Sequence, residues 1–313
     1  MSLTFFLSIG TMAKVITVFG ASGNQGGSVA RALAQDSQFK VRAVTRNPTN
    51  ENIKNLCGYG NVEVIRADAN DRKSIEAALQ GAYGTFVVTA ADFNDRNSVK
   101  KETDQGMTIA KACKDHPTLK HIIFSTQLSP REVLGQEARQ CDAKTEIDRN
   151  MRKMNLPMTA VEIPCNYERL FEDLRPDQVD VDHFRLYIPM GQVPMDFISR
   201  EDVGEVVRRI FTQTEKFVHK TLAISGDKLT VKRMAEEMTS CLYGKQVFDR
   251  QMTYAEFRDL PIHGARDLAN HFDFCARVDQ RFNVSATKEV FPYVRTFSDW
   301  CREKQNILQR ICS

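Results

Sequence analysis

The chain has 313 residues, enough to bury a core in one large domain or in a large and a small domain. Its 43 Lys and Arg residues against 40 Asp and Glu residues leave a net charge of +3, which is too balanced to indicate nucleic acid as the main ligand. Hydrophobic residues make up 42% of the chain, which excludes intrinsic disorder, and no apolar run approaches the roughly 18 residues that cross a bilayer. We therefore predict a globular protein with no direct nucleic-acid or membrane contact.

The eight cysteines are scattered and form no CxxC pair, and the six histidines form no HExxH motif. This spacing predicts neither a metal site nor a redox dithiol. Scattered thiols are typical of a reducing compartment, so we expect the cytoplasm, with the nucleus as an alternative. Residues 1–12 are largely apolar but lack the charged start and the cleavage site of a signal peptide. We interpret them as a leader or an alternative start, with Met12 as the candidate initiator.

From residue 15 onward, apolar runs alternate with amphipathic stretches, a pattern that predicts a parallel sheet covered by helices. Strands are predicted over Val15–Phe19, Lys40–Thr45, Val62–Ala67, Gly84–Thr89, His121–Ser125 and Met158–Glu162. Helices are predicted over Gln25–Gln35, Thr49–Cys57, Arg72–Leu79, Val99–His116 and Glu137–Met154. Crossovers of this length between strands indicate right-handed βαβ units.

The alternation breaks after Pro164, where the predicted strands are shorter and the helices more frequent. Strands are predicted over Arg185–Met190 and Thr221–Ser225, and helices over Arg200–Thr212, Thr230–Leu242, Ala265–Val278 and Thr296–Arg310. We therefore divide the chain into residues 1–12, a first domain over 13–164, and a smaller α/β region over 165–313 that closes a cleft, some of whose segments return to the first sheet.

A GxxGxxG motif follows the first predicted strand, with glycines at Gly20, Gly23 and Gly26. The first glycine allows a tight turn, the second lets the backbone approach a pyrophosphate, and the third lets helix and strand pack closely. Free amides at the start of the next helix bind phosphate. Because the motif joins a strand to a helix in the first βαβ unit, it predicts a Rossmann-type, doubly wound α/β domain that binds a dinucleotide.

The end of the second predicted strand indicates which dinucleotide. NAD sites normally have an acidic residue there, whereas this chain has Arg46 in the segment Val44–Pro48. A guanidinium with no neighbouring carboxylate suits a 2′-phosphate, so we predict NADP(H), with Arg46 rather than the nearby Arg42 as its ligand. Asp68 has two open interpretations: it accepts a hydrogen bond from the adenine amino group, or it caps the helix that begins near Arg72.

The predicted helix over Glu137–Met154 is where short-chain dehydrogenases have a Tyr-x-x-x-Lys pair on one helix face. Lys144 is present, but Gln140 stands at the tyrosine position. The stripe that holds both is otherwise apolar, so we predict that Lys144 points inward. Glutamine cannot exchange a proton near neutral pH, so we predict no efficient dehydrogenase activity. Lys144 is the candidate catalytic residue, through ribose binding or proton donation, while Ser125 and Thr126 are equally well explained as strand-end hydroxyls.

Five segments of the chain resemble the NmrA-like family of atypical short-chain dehydrogenases. They are Phe19–Ala30 (FGASGNQGGSVA), Val44–Pro48 (VTRNP), Asn155–Thr159 (NLPMT), Val193–Asp196 (VPMD) and Gly264–Asn270 (GARDLAN). The last is the most specific, because a generic dinucleotide-binding protein has no reason to contain it.

The resemblance implies a Rossmann domain with a small α/β C-terminal domain, no catalytic tyrosine, and a role as an NADP(H)-sensing regulator. It further implies a homodimer favoured by NADPH, and a protein partner, either an argininosuccinate synthase-like enzyme or a transcription regulator, that is bound when NADPH is low. An NADPH-dependent reductase of the quinone- or isoflavone-reductase kind is the alternative, with Lys144 or water as proton donor.

The resemblance also implies a set of cofactor contacts at the matching positions. They are Gly20, Ala21, Ser22, Gly23, Asn24, Gln25, Gly26, Arg46, Asn47, Asp68, Ala69, Thr89, Ala90, Ala91, Lys144, Asn166, Tyr167 and Glu168. Two positions depart from the family pattern: Asp104 stands where members can present a basic residue, and Arg169 stands where they commonly have asparagine.

Overall fold

The computed structural model describes residues 12–278 and 281–313, so the predicted leader, apart from Met12, lies outside the described residues. The strands are β1 (Lys14–Val18), β2 (Phe39–Thr45), β3 (Val62–Arg66), β4 (Gly84–Val87), β5 (His121–Thr126), β6 (Met158–Glu162), β7 (Cys165–Asn166), β8 (Asp177–Gln178), β9 (His183–Leu186), β10 (Met195–Ile198), β11 (Thr221–Ala223), β12 (Asp227–Leu229) and β13 (Gln246–Asp249).

The helices are α1 (Asn24–Ala34), α2 (Glu51–Leu56), α3 (Arg72–Leu79), α4 (Ser98–Lys114), α5 (Pro130–Leu134), α6 (Arg139–Lys153), α7 (Arg200–Thr212), α8 (Thr214–Phe217), α9 (Val231–Cys241), α10 (Tyr254–Arg258), α11 (Ala265–Arg277), α12 (Val284–Val290), α13 (Phe297–Glu303) and α14 (Gln305–Ile311). A 3₁₀ helix covers Tyr167–Phe171. No helix within these described ranges is both long and apolar enough to cross a membrane.

Seven parallel strands form the main sheet, in the order β11-β6-β5-β4-β1-β2-β3. The order reverses at β1, whose neighbours are β2 on one side and β4 on the other. The inner strands β4 and β5 are buried along their whole length, as expected for a sheet that helices cover on both faces. The predicted doubly wound, Rossmann-type α/β fold is confirmed, and its reversal point places a cleft beside β1.

Apolar side chains form a separate core on each face of the main sheet. Helices α1 and α7 pack on one face, and α3, α4 and α6 on the other. The contact between α1 and α7 is close because Gly204 has no side chain: a Cβ there would lie 2.6 Å from the carbonyl oxygen of Ser28. The glycine therefore fixes α7 against the helix that follows the glycine loop.

The C-terminal region has its own core. Two three-stranded sheets, β12-β10-β7 and β13-β9-β8, surround buried aromatic side chains that include Tyr167, Phe197, Phe297 and Trp300. Tyr167 stacks on Phe197 with ring centroids 6.2 Å apart, and Phe297 stacks on Trp300 at 5.7 Å. Such aromatic packing stabilises a small region that lacks a large sheet.

The two regions are not strictly consecutive along the chain. Helix α7 and strand β11 lie beyond Pro164, yet β11 pairs in parallel with β6 of the main sheet and α7 covers that sheet. The predicted helix over Thr296–Arg310 is wrong as a single element, since α13 ends at Glu303 and α14 begins at Gln305. The domain boundaries as drawn from the sequence stay a prediction.

His121 makes stability depend on pH. It is fully buried, with Nε2 2.7 Å from the Thr159 hydroxyl, and burial lowers its pKa to about 4. Between pH 6.5 and 4 the unfolded chain binds a proton that the folded protein excludes, so acidification destabilises the fold. At pH 5 this loss should be about 2 kcal/mol relative to pH 7.

Guanidinium unfolding at pH 7 and pH 5 measures that loss. The variant His121→Asn should show a smaller drop in the free energy of unfolding than the unmodified protein. His263→Gln, at an exposed histidine, serves as the control and should behave like the unmodified protein. Equal drops in all three proteins would contradict the prediction.

Candidate functional site

The glycine loop between β1 and α1 has the geometry that the motif predicts. Gly20 has a φ of +71°, a value that favours glycine. Gly23 is extended and precedes the first helical turn, and its amide donates to the Gly20 carbonyl at 2.9 Å. A Cβ on Gly26 would lie 2.2 Å from that same carbonyl oxygen. The loop can therefore bring its backbone and the N-terminus of α1 against a ligand.

A cleft of about 890 Å³ opens over this loop, at the carboxyl ends of β1, β2 and β4. The predicted contact residues that line it are Gly20, Ser22, Gly23, Asn24, Gln25, Gly26, Arg46, Ala69, Thr89, Ala90 and Ala91. The predicted residues Ala21, Asn47, Asp68, Lys144, Asn166, Tyr167 and Glu168 do not line it directly. The cleft has both the position and the volume for a dinucleotide.

Arg46 lies at the end of β2, exposed, in the wall of the cleft. It forms no ion pair or hydrogen bond with any residue that the structure describes. Lys101, the other cation lining the cleft, is paired with Asp95. Arg42 donates to the carbonyls of Ala78 and Gln80 and contacts the Glu63 carboxylate. Arg46 is thus the cationic side chain of the described cleft wall that is available to an anionic ligand.

Two predicted residues near Arg46 are held by local turns. Asp68 Oδ1 accepts from the backbone and side-chain amides of Asn70, at 2.9 and 2.8 Å, and Asn47 Oδ1 accepts from the Thr49 amide at 3.0 Å. The residue that caps α3 is Asp71, which accepts from the Lys73 amide. The capping interpretation of Asp68 is therefore wrong, and its contact with adenine stays a prediction.

Lys144 is turned inward, as its position on the stripe of α6 predicts, and is buried. Its Nζ donates to Glu102 Oε1 at 2.7 Å, and the Thr89 hydroxyl donates to the same oxygen at 2.5 Å. The side chains of Lys144 and Glu102 are 10% and 1% exposed. Lys144 therefore does not line the cleft itself. It contacts Glu102, which does.

The sequence-based predictions missed Glu102. It lies on the buried stripe of α4, with Ser98, Gly106, Ile109 and Cys113. An acidic residue on an otherwise small and apolar stripe is unusual, because a buried carboxylate needs a partner. That mismatch is the signal in the sequence that could have identified it.

Gln140 lies one turn before Lys144 but faces the C-terminal region. Its amide nitrogen is 3.5 Å from the Asp267 carbonyl oxygen. At the end of β5, the Ser125 hydroxyl donates to Gln25 Oε1 at 2.8 Å and so joins β5 to the start of α1. The described residues that line the cleft include no tyrosine and no histidine.

Three predicted cofactor-binding residues follow β6, and their side chains contact the protein away from the cleft. Asn166 donates to the Ile198 carbonyl at 3.4 Å. Tyr167 is fully buried among aromatic rings, and burial raises its pKa. Glu168 accepts from the Ser199 hydroxyl and from the indole of Trp300, at 2.6 and 3.1 Å. The structure does not bring these side chains to the cleft, and their cofactor contacts stay predictions.

A model of the NmrA-like family matches residues 12–301. The chain belongs to the NmrA-like family. It is 36% identical over 236 residues to the NmrA-like family domain-containing oxidoreductase hkm9 of Aspergillus hancockii, with 69% of each chain covered. It is 28% identical over 236 residues to an NmrA-like family domain-containing protein of Dictyostelium discoideum, covering 72% of this chain and 76% of that protein.

Solved structures share the same NmrA-like fold at low sequence identity. NmrA, a negative transcriptional regulator, in complex with NADP, is similar with a TM-score of 0.77 and 18% identity, over 96% of this chain and 98% of that one. The Citrobacter sp. triphenylmethane reductase complexed with NADP(H) has a TM-score of 0.72 and 17% identity, over 92% and 99% of the two chains.

The segment Gly264–Asn270 joins the C-terminal region to α6. It is also the most specific of the five segments that resemble the NmrA-like family. The guanidinium of Arg139 donates through Nε to Asp267 Oδ1 at 3.1 Å and through Nη2 to Asp267 Oδ2 at 2.7 Å. Asn270 donates to the Glu137 carbonyl at 2.7 Å. Gly264 has a φ of +75°, and a Cβ there would strike the Phe93 ring at 2.7 Å. These contacts position the start of the helix that carries Gln140 and Lys144.

Proposed function

We propose that this NmrA-like protein binds NADP(H) in the cleft over the glycine loop and acts as a nucleotide-responsive regulator without efficient dehydrogenase activity. The observation that carries the proposal is a cleft large enough for a dinucleotide, together with a nearby helix that has Gln140, not tyrosine, one turn before Lys144. The glycine loop supplies the phosphate-binding backbone, whereas the usual proton donor is missing.

NADP(H) rather than NAD(H) is the proposed cofactor because of Arg46. Its guanidinium lies in the cleft wall at the end of β2 without a counter-ion among the described residues. A 2′-phosphate would supply that counter-ion through paired hydrogen bonds. NmrA is solved in complexes with NADP and with NAD, and the triphenylmethane reductase in complex with NADP(H). These structures support a nicotinamide dinucleotide in this cleft, and the preference for NADP(H) rests on Arg46.

Regulation requires that the nucleotide bind two states with different affinity. We propose that NADPH favours a homodimer, and that the chain with little NADPH binds and restrains a partner. By family resemblance that partner is an argininosuccinate synthase-like enzyme or a transcription regulator. The segments 90–97 and 166–174 flank the cleft and are the proposed moving parts. The scattered spacing of the eight cysteines, with no CxxC pair, favours the cytoplasm, or alternatively the nucleus, as the proposed location.

An NADPH-dependent reductase is the second candidate. The names of several relatives favour it, including the oxidoreductases hkm9 of Aspergillus hancockii and FrzB of Cladobotryum sp.. In this interpretation Lys144 or a bound water supplies the proton. The ion pair with Glu102 holds Lys144 behind the cleft wall, so the lysine does not line the cleft itself.

Turnover of NADPH against a panel of quinones and carbonyl compounds separates the two candidates. For the regulator we expect the unmodified protein to bind NADPH in calorimetry and to oxidise NADPH at the background rate. The oxidation rate of Lys144→Ala should equal that same background. Oxidation well above background that disappears in Lys144→Ala would establish the reductase and refute the regulator.

A further inference from the structure

One carboxylate oxygen in the cleft wall has no hydrogen-bond donor. Glu102 Oε1 accepts from Thr89 and Lys144, but Glu102 Oε2 is buried and has no partner among the described residues. An unsatisfied buried oxygen of a charged group destabilises the folded protein, because it has lost its bonds to water and gained none. Because Glu102 lines the cleft, a ligand can supply the missing donor.

The strand order indicates which part of a dinucleotide would meet Glu102. Arg46 follows β2, on one side of β1, whereas Thr89 follows β4 on the other side and Lys144 lies on α6 beyond it. Arg46 and Glu102 therefore stand on opposite sides of the glycine loop, which takes the central pyrophosphate. With the phosphorylated ribose at Arg46, the second ribose lies on the Glu102 side.

The charges on the Glu102 side suit a sugar and do not suit a phosphate. Lys144 and Glu102 cancel each other, and the Thr89 hydroxyl already donates its proton to Oε1. Glu102 Oε2 is left as a free acceptor oxygen. It repels a phosphate but accepts a hydrogen bond from an O–H group. A ribose offers two adjacent hydroxyl donors.

We propose that Glu102 is a cofactor-binding residue whose Oε2 accepts a hydrogen bond from a hydroxyl of the nicotinamide-side ribose. Thr89 and Lys144 hold the carboxylate in place through Oε1. The proposal rests on the proposed NADP(H) binding and adds to it a residue that distinguishes the complete dinucleotide from its adenosine half.

Calorimetric titration with two probes tests this assignment: NADPH, and adenosine 2′,5′-bisphosphate, which lacks the second ribose. Glu102→Gln keeps the shape of the side chain and places a neutral amide where the carboxylate was. We expect NADPH affinity to fall about tenfold or more, the value of one hydrogen bond to a charged group, and the affinity for the bisphosphate to change less than about twofold.

Glu146→Gln, at an exposed position of α6, removes the same charge outside the cleft and should leave both affinities unchanged. Glu102→Asp retains the charge and withdraws the oxygens by one methylene, so it should weaken NADPH selectively even if the glutamine variant does not fold. Unchanged NADPH affinity in the Glu102 variants, or equal losses for both probes, would overturn the assignment. An unmodified protein that binds neither probe would instead refute the NADP(H) proposal itself.

Discussion

Replacing Gly26 with alanine is expected to reduce NADPH affinity about a hundredfold and to lower the free energy of unfolding by about 2–3 kcal/mol. The new Cβ would lie 2.2 Å from the carbonyl oxygen of Gly20 and 2.5 Å from its carbonyl carbon. Both are backbone atoms of the tight turn, so no side chain can rotate to relieve the clash. Either α1 or the turn must move, and the amides that face the phosphates move with it.

Gly60→Ala is the matched control for this substitution. Nothing lies within 4 Å of a Cβ at Gly60, so the same methyl group meets open space. Calorimetry with NADPH and guanidinium unfolding should both show the control close to the unmodified protein. Gly26→Ala with NADPH affinity equal to the control would show that the loop does not carry the phosphates.

Replacing Arg46 with alanine should weaken NADPH about 10- to 100-fold and leave NADH nearly unchanged. The range is the free energy of a charge-assisted contact between a guanidinium and a phosphate, about 1.5–3 kcal/mol. NADH lacks the 2′-phosphate and therefore has no group that the guanidinium would hold. Stability should not change, because Arg46 is exposed and bonds to no described residue.

Arg66→Ala tests whether the effect is specific to position. Arg66 ends the neighbouring strand β3 and is also exposed, so its removal changes the net charge equally. Both variants are titrated with NADPH and with NADH by calorimetry. Of these four affinities, only that of Arg46→Ala for NADPH should fall. Similar losses of NADPH affinity in the two variants would indicate a general electrostatic effect and contradict a direct phosphate contact.

The first half of the fold could be predicted from the sequence because its signals are local. Strand β6 and helix α3 are observed with the predicted bounds, Met158–Glu162 and Arg72–Leu79. Apolar runs that alternate with amphipathic stretches need no distant partner to be recognised. The return of β11 to the main sheet depends on pairing with a strand about 60 residues earlier in the chain, which no local pattern encodes.

The part of the site that is formed by backbone, the glycine loop, could be predicted from the sequence. Gly20, Gly23 and Gly26 line the described cleft because a strand-turn-helix junction requires them there. Glu102 was missed because its role depends on side chains from two other elements, Thr89 and Lys144. Its buried oxygen could be recognised only once those three side chains were placed together.

Sedimentation velocity with and without NADPH tests most directly whether this protein changes its assembly when NADPH binds. We expect saturating NADPH to shift the protein towards a faster-sedimenting dimer, and Arg46→Ala to show no shift at the same concentration. Calorimetry on the same sample establishes that the site is filled. Sedimentation profiles that stay identical while NADPH is bound would contradict a nucleotide-responsive regulator.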